Sequence, residues 1–418
     1  MRVVVNSEER FSRTPDGKVW SAGAGAYSFW RRYLDVFDQV RVLGRVAPAL
    51  EQPESAQRAD GDGVTFESLP YYVGPIGYAR KYFSVRAAIR KTLVTKDAVV
   101  LRAASPIANC VESDIASGQP YGIEVVGDPY EVFAPGSIEH PLRPLLRWVM
   151  TDRLKRQCRR ACAAAYVTGG ALMDRYPSRS SAFTTIYSSI ELRDDAYAAQ
   201  SRSFEIQSRP LRIVSVGTLE VPYKGFDVLI DAVAACVQRG ADIELTIAGD
   251  GRRRDSLKRQ AERRGIERVV HFLGHCPAGA GVRDELDRAE LFVLASKTEG
   301  LPRAMLEAMA RALPCIGTAV GGIPELLAPG ELVPRDDAPA LARKITEILA
   351  DRGRMTRLSA ENLAKARQYH SSNLSPRRRE FLTHVQEATQ RWRQRHPHAR
   401  LERDLWNEKE TMQPESSR

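Results

Sequence analysis

Between Arg212 and Leu294, short apolar runs alternate with segments of helical periodicity, and that alternation leaves few folds open to the chain. The runs Arg212–Val216, Ile243–Ala248, Val269–Leu273 and Leu291–Leu294 read as buried strands. The segments between them, Phe226–Gln238, Arg252–Arg263 and Val282–Arg288, read as amphipathic helices. Parallel neighbours need a crossover connection, so strand, helix, strand in this order predicts a parallel α/β sheet. The pattern continues through a helix at Arg303–Arg311, a strand at Pro314–Ile316, a helix opening near Pro324, and helices at Ala338–Ala350 and Met355–Ala366.

The first half is harder to read. Residues 2–5 are an apolar run that predicts a buried first strand, followed by a loop through Gly23 and Gly25 and an aromatic helix near Tyr27–Phe37. Pro48–Asp62 is polar and Pro/Gly-punctuated, and reads as loop. Basic helices are expected at Tyr78–Lys96 and Leu145–Ala165, with strands at Ala98–Leu101 and Tyr166–Thr168. The aliphatic-poor stretch Gln200–Pro210 marks a domain boundary. The expected division is therefore a first domain at 1–205, a second domain at 206–367, a last helix at 368–392 and a flexible polar tail at 393–418.

Charge and cysteine content narrow the function classes. Among 418 residues, 62 basic against 52 acidic side chains give +10, which favours anionic partners. No P-loop, HExxH, EF-hand, GxSxG or zinc-deaminase signature is present. Six cysteines, with only the C-x3-C of Cys158 and Cys162 closely spaced, read as reduced thiols. The N-terminus lacks the pattern of a signal peptide and no apolar stretch is long enough to span a bilayer. A cytoplasmic protein is expected, with peripheral contact at the inner face of an anionic membrane as a further expectation.

The chemistry-bearing residues cluster after the strands of the second half. The segment from Ser296 to Glu307 places Glu299 in a loop and Glu307 inside a helix that Pro302 opens. Such a pair can grip sugar hydroxyls, or be one helix-start acid and one solvent-facing acid. Gly321 and Gly322, before Pro324, form a turn that can expose amides to a diphosphate or serve as a plain turn. Lys224 supplies a cation at a strand mouth, and Gly249 turns the chain after another strand.

In sequence these motifs resemble glycosyltransferase family 4, from Val216-Gly217 through Lys224-Gly225, Ile247–Gly251, Phe272–Gly274, Ser296, Glu307–Ala310 and Pro314 to Gly321-Gly322 and Glu325. The resemblance covers about residues 211–350 and implies an α/β, GT-B fold: two Rossmann-like domains facing across a cleft, with a C-terminal helix returning to the first. It implies a retaining hexosyltransferase of the bacterial polysaccharide type, acting with a nucleoside-diphosphate sugar on a carbohydrate or lipid-linked acceptor. No tightly bound cofactor, essential divalent metal or nucleic-acid partner is implied. Glu299 would sit at the donor sugar, Glu307 at the ribose and Lys224 at the diphosphate, with the backbone after Gly322 capping the diphosphate. Gly23 or Gly25 would correspond to the glycine loop of the acceptor domain, and Glu124 and Asp128 are acceptor-side candidates or turn caps.

Two departures matter. The arginine usual after Val-Gly is Thr218 here, and Arg303 or Arg283 would have to supply the missing cation. No clear N-domain histidine is present, since His140 stands alone in the first 200 residues. The alternative reading is thus a catalytically degenerate GT-B protein serving as a sugar-nucleotide sensor or assembly partner.

Overall fold

The computed structural model describes residues 1–399 apart from 54–55, 94–95, 136, 138–139, 206–209 and 278. The polar tail expected from residue 393 leaves the described residues at 400.

Strands between Arg2 and Ile186 build one sheet: β1 (Arg2–Arg13), β2 (Val19–Ser21), β3 (Gln39–Pro48), β4 (Gln57–Arg58), β5 (Val64–Leu69), β6 (Ala98–Ala103), β7 (Gly122–Val125), β8 (Ala163–Tyr166) and β9 (Phe183–Ile186). Seven of them run parallel in the order β5-β3-β1-β6-β7-β8-β9. The end of β1 stays paired with β3 and on its other side pairs antiparallel with β2, which pairs with β4. The first strand is thus much longer than the apolar run suggests. Its polar continuation carries Glu9 and Arg10 out of the core and into the cleft.

The sequence hid other pieces of this sheet. β3, β5, β7 and β9 mix polar and apolar residues, and β8 is alanine-rich and precedes the Tyr166–Thr168 position expected for it. The aromatic helix is one α-turn, Tyr27–Trp30, continued as a 3-10 helix, Arg31–Asp35. The first basic helix begins at Gly74, with proline in its opening turn where no amide partner is required.

The second sheet contains β10 (Leu211–Val216), β11 (Ile243–Ala248), β12 (Val270–Gly274), β13 (Leu291–Leu294), β14 (Cys315–Thr318) and β15 (Leu332–Val333). All are parallel, in the order β12-β11-β10-β13-β14-β15. That is the doubly wound 3-2-1-4-5-6 order, with its switch point between β10 and β13, where ligands bind beyond the strand C-termini. The helix expected near Pro324 is a single 3-10 turn, Ile323–Glu325.

The long helix Ser371–Arg395 crosses back from the second domain onto the first sheet. Gly122 on β7 admits it, because a Cβ there would overlap Val385 and meet Phe381 at 2.9 Å. The domains also meet directly at Glu325. Its carboxylate accepts hydrogen bonds from the amides of Gly169 and Gly170 across the boundary, each at 2.9 Å. These ties hold two strand-end surfaces face to face.

Candidate functional site

The switch point supplies the first candidate pair. After β10 the chain passes Gly217 and Thr218, makes a 3-10 turn at Pro222–Lys224, and enters a helix at Gly225 with φ 68°. A Cβ at Gly225 would overlap the carbonyl of Ala295, so glycine lets the turn lie against the end of β13. The Lys297 amide donates to the Tyr223 carbonyl at 2.7 Å and ties the two loops together. Lys224 Nζ then reaches Glu299 Oε1 at 2.6 Å, and Ser296 Oγ donates to the same oxygen at 2.7 Å. Among the described residues, Glu299 Oε2 accepts no hydrogen bond.

Lys224, Glu299, Arg303, Glu307, Thr218, Gly249 and Gly23 all line one interdomain cleft of about 900 Å³. Glu307 sits inside the helix Arg303–Ala310, where burial pushes its carboxyl above the ordinary value and Arg303 and Arg283 partly offset the rise. The first amide of this helix with an acceptor in it or at its cap is that of Leu306, bonded to the Pro302 carbonyl. Arg303 and Ala304 of its opening turn line the cleft, and the unpaired amides of a helix start favour an anion. Thr218 Oγ1 accepts from the Glu220 amide at 3.2 Å, so Thr218 also shapes its own turn.

Other expected positions do different work. Gly321 and Gly322 are not in the cleft wall. A Cβ at Gly321 (φ 52°) would overlap the Glu299 carbonyl, and the Gly322 amide donates to the Gly300 carbonyl at 2.7 Å. Beyond it, the Ile323 amide is spent on Val320, Pro324 has none, and the Glu325 amide is spent on Gly322. The backbone after Gly322 therefore does not cap a diphosphate in this geometry. The turn instead buttresses the loop that carries Glu299.

On the opposite wall, the Gly23–Gly25 loop wraps a carboxylate. A Cβ at either glycine would come within 2.6 or 2.7 Å of a Glu9 carboxylate oxygen, and Ser21 donates to that carboxylate. Burial raises the Glu9 carboxyl, with Ser21, the loop amides and Arg303 partly offsetting the shift. The strand reading that stopped at residue 5 missed Glu9 and Arg10, which a longer β1 would have revealed.

Glu124 and Asp128 lie beneath the cleft surface and outside its lining. Glu124 is 2% exposed and accepts from Tyr33, Tyr187 and Arg102. Burial alone would raise its carboxyl, but Arg102 and Arg32 together hold it below the usual carboxylate value. Asp128 takes the turn-cap role: it accepts from the Tyr130 amide at 3.0 Å and pairs with Arg175. His140 accepts from the Leu142 amide within its own exposed loop. Among the described residues no group of three or more His, Cys, Asp or Glu is placed to hold a metal, and no helix is long and apolar enough to cross a membrane.

Residues 210–351 match the family described as "Glycosyl transferases group 1". The chain is 25% identical over 361 residues to Protein CapJ of Staphylococcus aureus, covering 85% of this chain and 89% of CapJ. It is 36% identical over 155 residues to the putative colanic acid biosynthesis glycosyltransferase WcaL of Salmonella typhimurium, covering 35% of this chain and 38% of WcaL. Its fold superimposes on Anabaena HepE in complex with UDP and glucose with a TM-score of 0.63 at 16% identity, over 92% of this chain and 99% of HepE. The chain has a GT-B fold, and its second domain is related to bacterial polysaccharide glycosyltransferases.

Proposed function

We propose that the protein is a retaining, family 4 glycosyltransferase that moves a hexosyl unit from a nucleoside-diphosphate sugar to an acceptor hydroxyl. The observation that carries this reading is the Lys224–Glu299 pair at the β10/β13 switch point, facing Glu307 in the same cleft. Glu307 would hold the ribose hydroxyls. Lys224 and the opening amides of the Arg303–Ala310 helix would stabilise charge developing on the leaving diphosphate, where transition-state binding is most effective. Glu299, held by Lys224 and Ser296 through one oxygen, would orient the sugar with the other. Arg303 would supply the cation that Thr218 lacks.

Calorimetric titration with UDP-, GDP-, ADP- and dTDP-sugars, with Glu307→Ala as control, tests the donor site. Selective binding of one nucleotide class, weakened by the substitution, is the expected result. Absence of binding by the folded protein would overturn the reading. Binding without donor consumption across a range of acceptors would move it to the degenerate, sensor-like alternative.

A lipid-linked acceptor fits a second observation. The helices Gly74–Thr92 and Arg143–Arg160 flank the helix Pro106–Asp114 and leave Phe83 and Trp148 83% and 68% exposed, Phe83 one turn from Arg80 and Trp148 in a groove with Arg147 and Lys155. Apolar side chains amid cations suit the interface of an anionic bilayer. Vesicles of phosphatidylglycerol should sediment the protein at low salt and phosphatidylcholine vesicles should not; equal partitioning into both would remove this element.

A further inference from the structure

The cleft has a second lobe of about 470 Å³ that the donor residues do not fill. Gly23, Arg303 and Glu307 border both lobes, whereas Lys224 and Glu299 line only the first and Arg32 only the second. Arg32 belongs to the 3-10 helix after the glycine loop and is 5% exposed. Its guanidinium lies 3.6 Å over the Phe29 ring, which fixes the plane and leaves the N–H edge for partners. Two of those groups, Nε and Nη2, are buried and have no acceptor among the described residues. Nη1 has only a 3.3 Å bond to the Ser189 carbonyl, itself part of the cavity wall. A buried guanidinium so poorly satisfied is costly unless an acceptor completes it.

The surrounding charges do not supply one. Arg102 and Arg378 lie close enough to raise the cost of charging Arg32, and Glu124 is the carboxylate set against them. Glu124 is already taken by Arg102, Tyr33 and Tyr187. On the cavity wall, Arg283 pairs with Asp195 at 3.2 Å and Arg193 with Glu191 at 2.8 Å. Those two cations are matched locally and Arg303 is set against Glu9 and Glu307, so the cation on this wall left to share Glu124 with Arg102 is Arg32.

We propose that this lobe binds an oxyanionic group, a carboxylate or a phosphate, carried by the acceptor, with Arg32 as its principal donor. A planar guanidinium edge matches both anions through paired, charge-assisted hydrogen bonds. The acceptor side is indicated because Arg32 projects from the first domain, across the cleft from Lys224 and Glu299. The assignment to an acceptor rests on the transferase reading; the anion site itself rests on Arg32. The acceptor class is thereby an acidic sugar or a phosphorylated glycan, not a neutral sugar.

Calorimetry on the full chain with methyl glucuronide, methyl glucoside and inorganic phosphate tests this. An anionic probe should bind at least about tenfold more tightly than the glucoside, and the comparison of glucuronide with phosphate identifies which oxyanion the lobe prefers. Arg32→Lys should erase most of that preference while leaving UDP affinity unchanged. Ser28→Asp, at an exposed position on the same cavity wall, should repel the anionic probes without touching the buried cluster, and keeps the test decisive if Arg32→Lys does not fold. UDP binding with no anionic preference, or a preference that survives the substitutions, would overturn the inference alone. Anionic preference without any nucleotide binding would instead overturn the transferase reading and with it the acceptor assignment.

Discussion

The two walls of the cleft are built by different means. On the second-domain wall, the functional side chains follow directly on strand ends, and their positions are set by backbone packing against backbone: Gly225 on Ala295, Gly321 on Glu299, Gly249 on Gly217. On the first-domain wall, glycines 23 and 25 pack against the carboxylate of one side chain, and the cations beneath are held in part by residues distant in sequence, Arg32 by Ser189 and Arg102 by Tyr33. A wall set by local backbone geometry leaves short motifs in the sequence. A wall set by distant side-chain contacts leaves almost none.

The largest effect that sharpens this contrast is catalytic. Lys224→Ala should lower turnover by about 10²–10³-fold, because it removes a cation aimed at the leaving group, whereas Arg10→Ala on the opposite wall should change it far less. Steady-state kinetics with one donor and acceptor pair checks both. Similar losses would mean that the two walls share the charge stabilisation.

A stability comparison comes next. Gly225→Ala forces φ 68° on a residue with a Cβ and drives that Cβ into a carbonyl, and should cost about 2–4 kcal/mol. Gly23→Ala meets only the end of the Glu9 side chain, which can move, and should cost about 1 kcal/mol or less. Denaturant unfolding of both variants checks the ranking. Equal costs would erase the distinction between backbone-set and side-chain-set glycines.

The smallest effect concerns pH. Because burial raises the Glu307 carboxyl in the folded protein, the folded state holds that proton more tightly than the unfolded chain does. The associated stability is present below the ordinary carboxylate value and is lost as pH rises through the raised one. Glu307→Gln removes that loss, so the ligand-free variant should melt about 1–3 °C above the parent at neutral pH and not at acidic pH. The same variant should bind nucleotide more weakly, since a carboxylate accepts two ribose hydroxyls better than an amide does. A parent that melts higher than the variant at neutral pH would contradict the placement of Glu307.

The asymmetry also decides what the sequence could disclose. Lys224, Glu299 and Glu307 were legible because each stands at a short, fixed distance from an apolar strand. The parallel direction of the strands in the second sheet followed from the same alternation, whereas their order did not. Arg32 and Glu9 were not legible: Arg32 looks like one of many surface arginines until Phe29, Glu124 and Arg378 close around it. Glu124 drew attention from its sequence setting, yet Tyr33 and Tyr187 make it a buried counter-charge. Gly321 and Gly322 were recognisable as a turn, but whether their amides face a ligand or a neighbouring loop depends on the Gly300 carbonyl, which no local pattern reveals.

The central claim, that Glu299 and Lys224 form the reacting end of a donor site, is tested most directly by measuring donor turnover and nucleotide affinity together in Glu299→Ala. Turnover should fall by at least about a hundredfold while the Kd for the free nucleoside diphosphate stays within about threefold of the parent. Unchanged turnover in the folded variant would contradict the account.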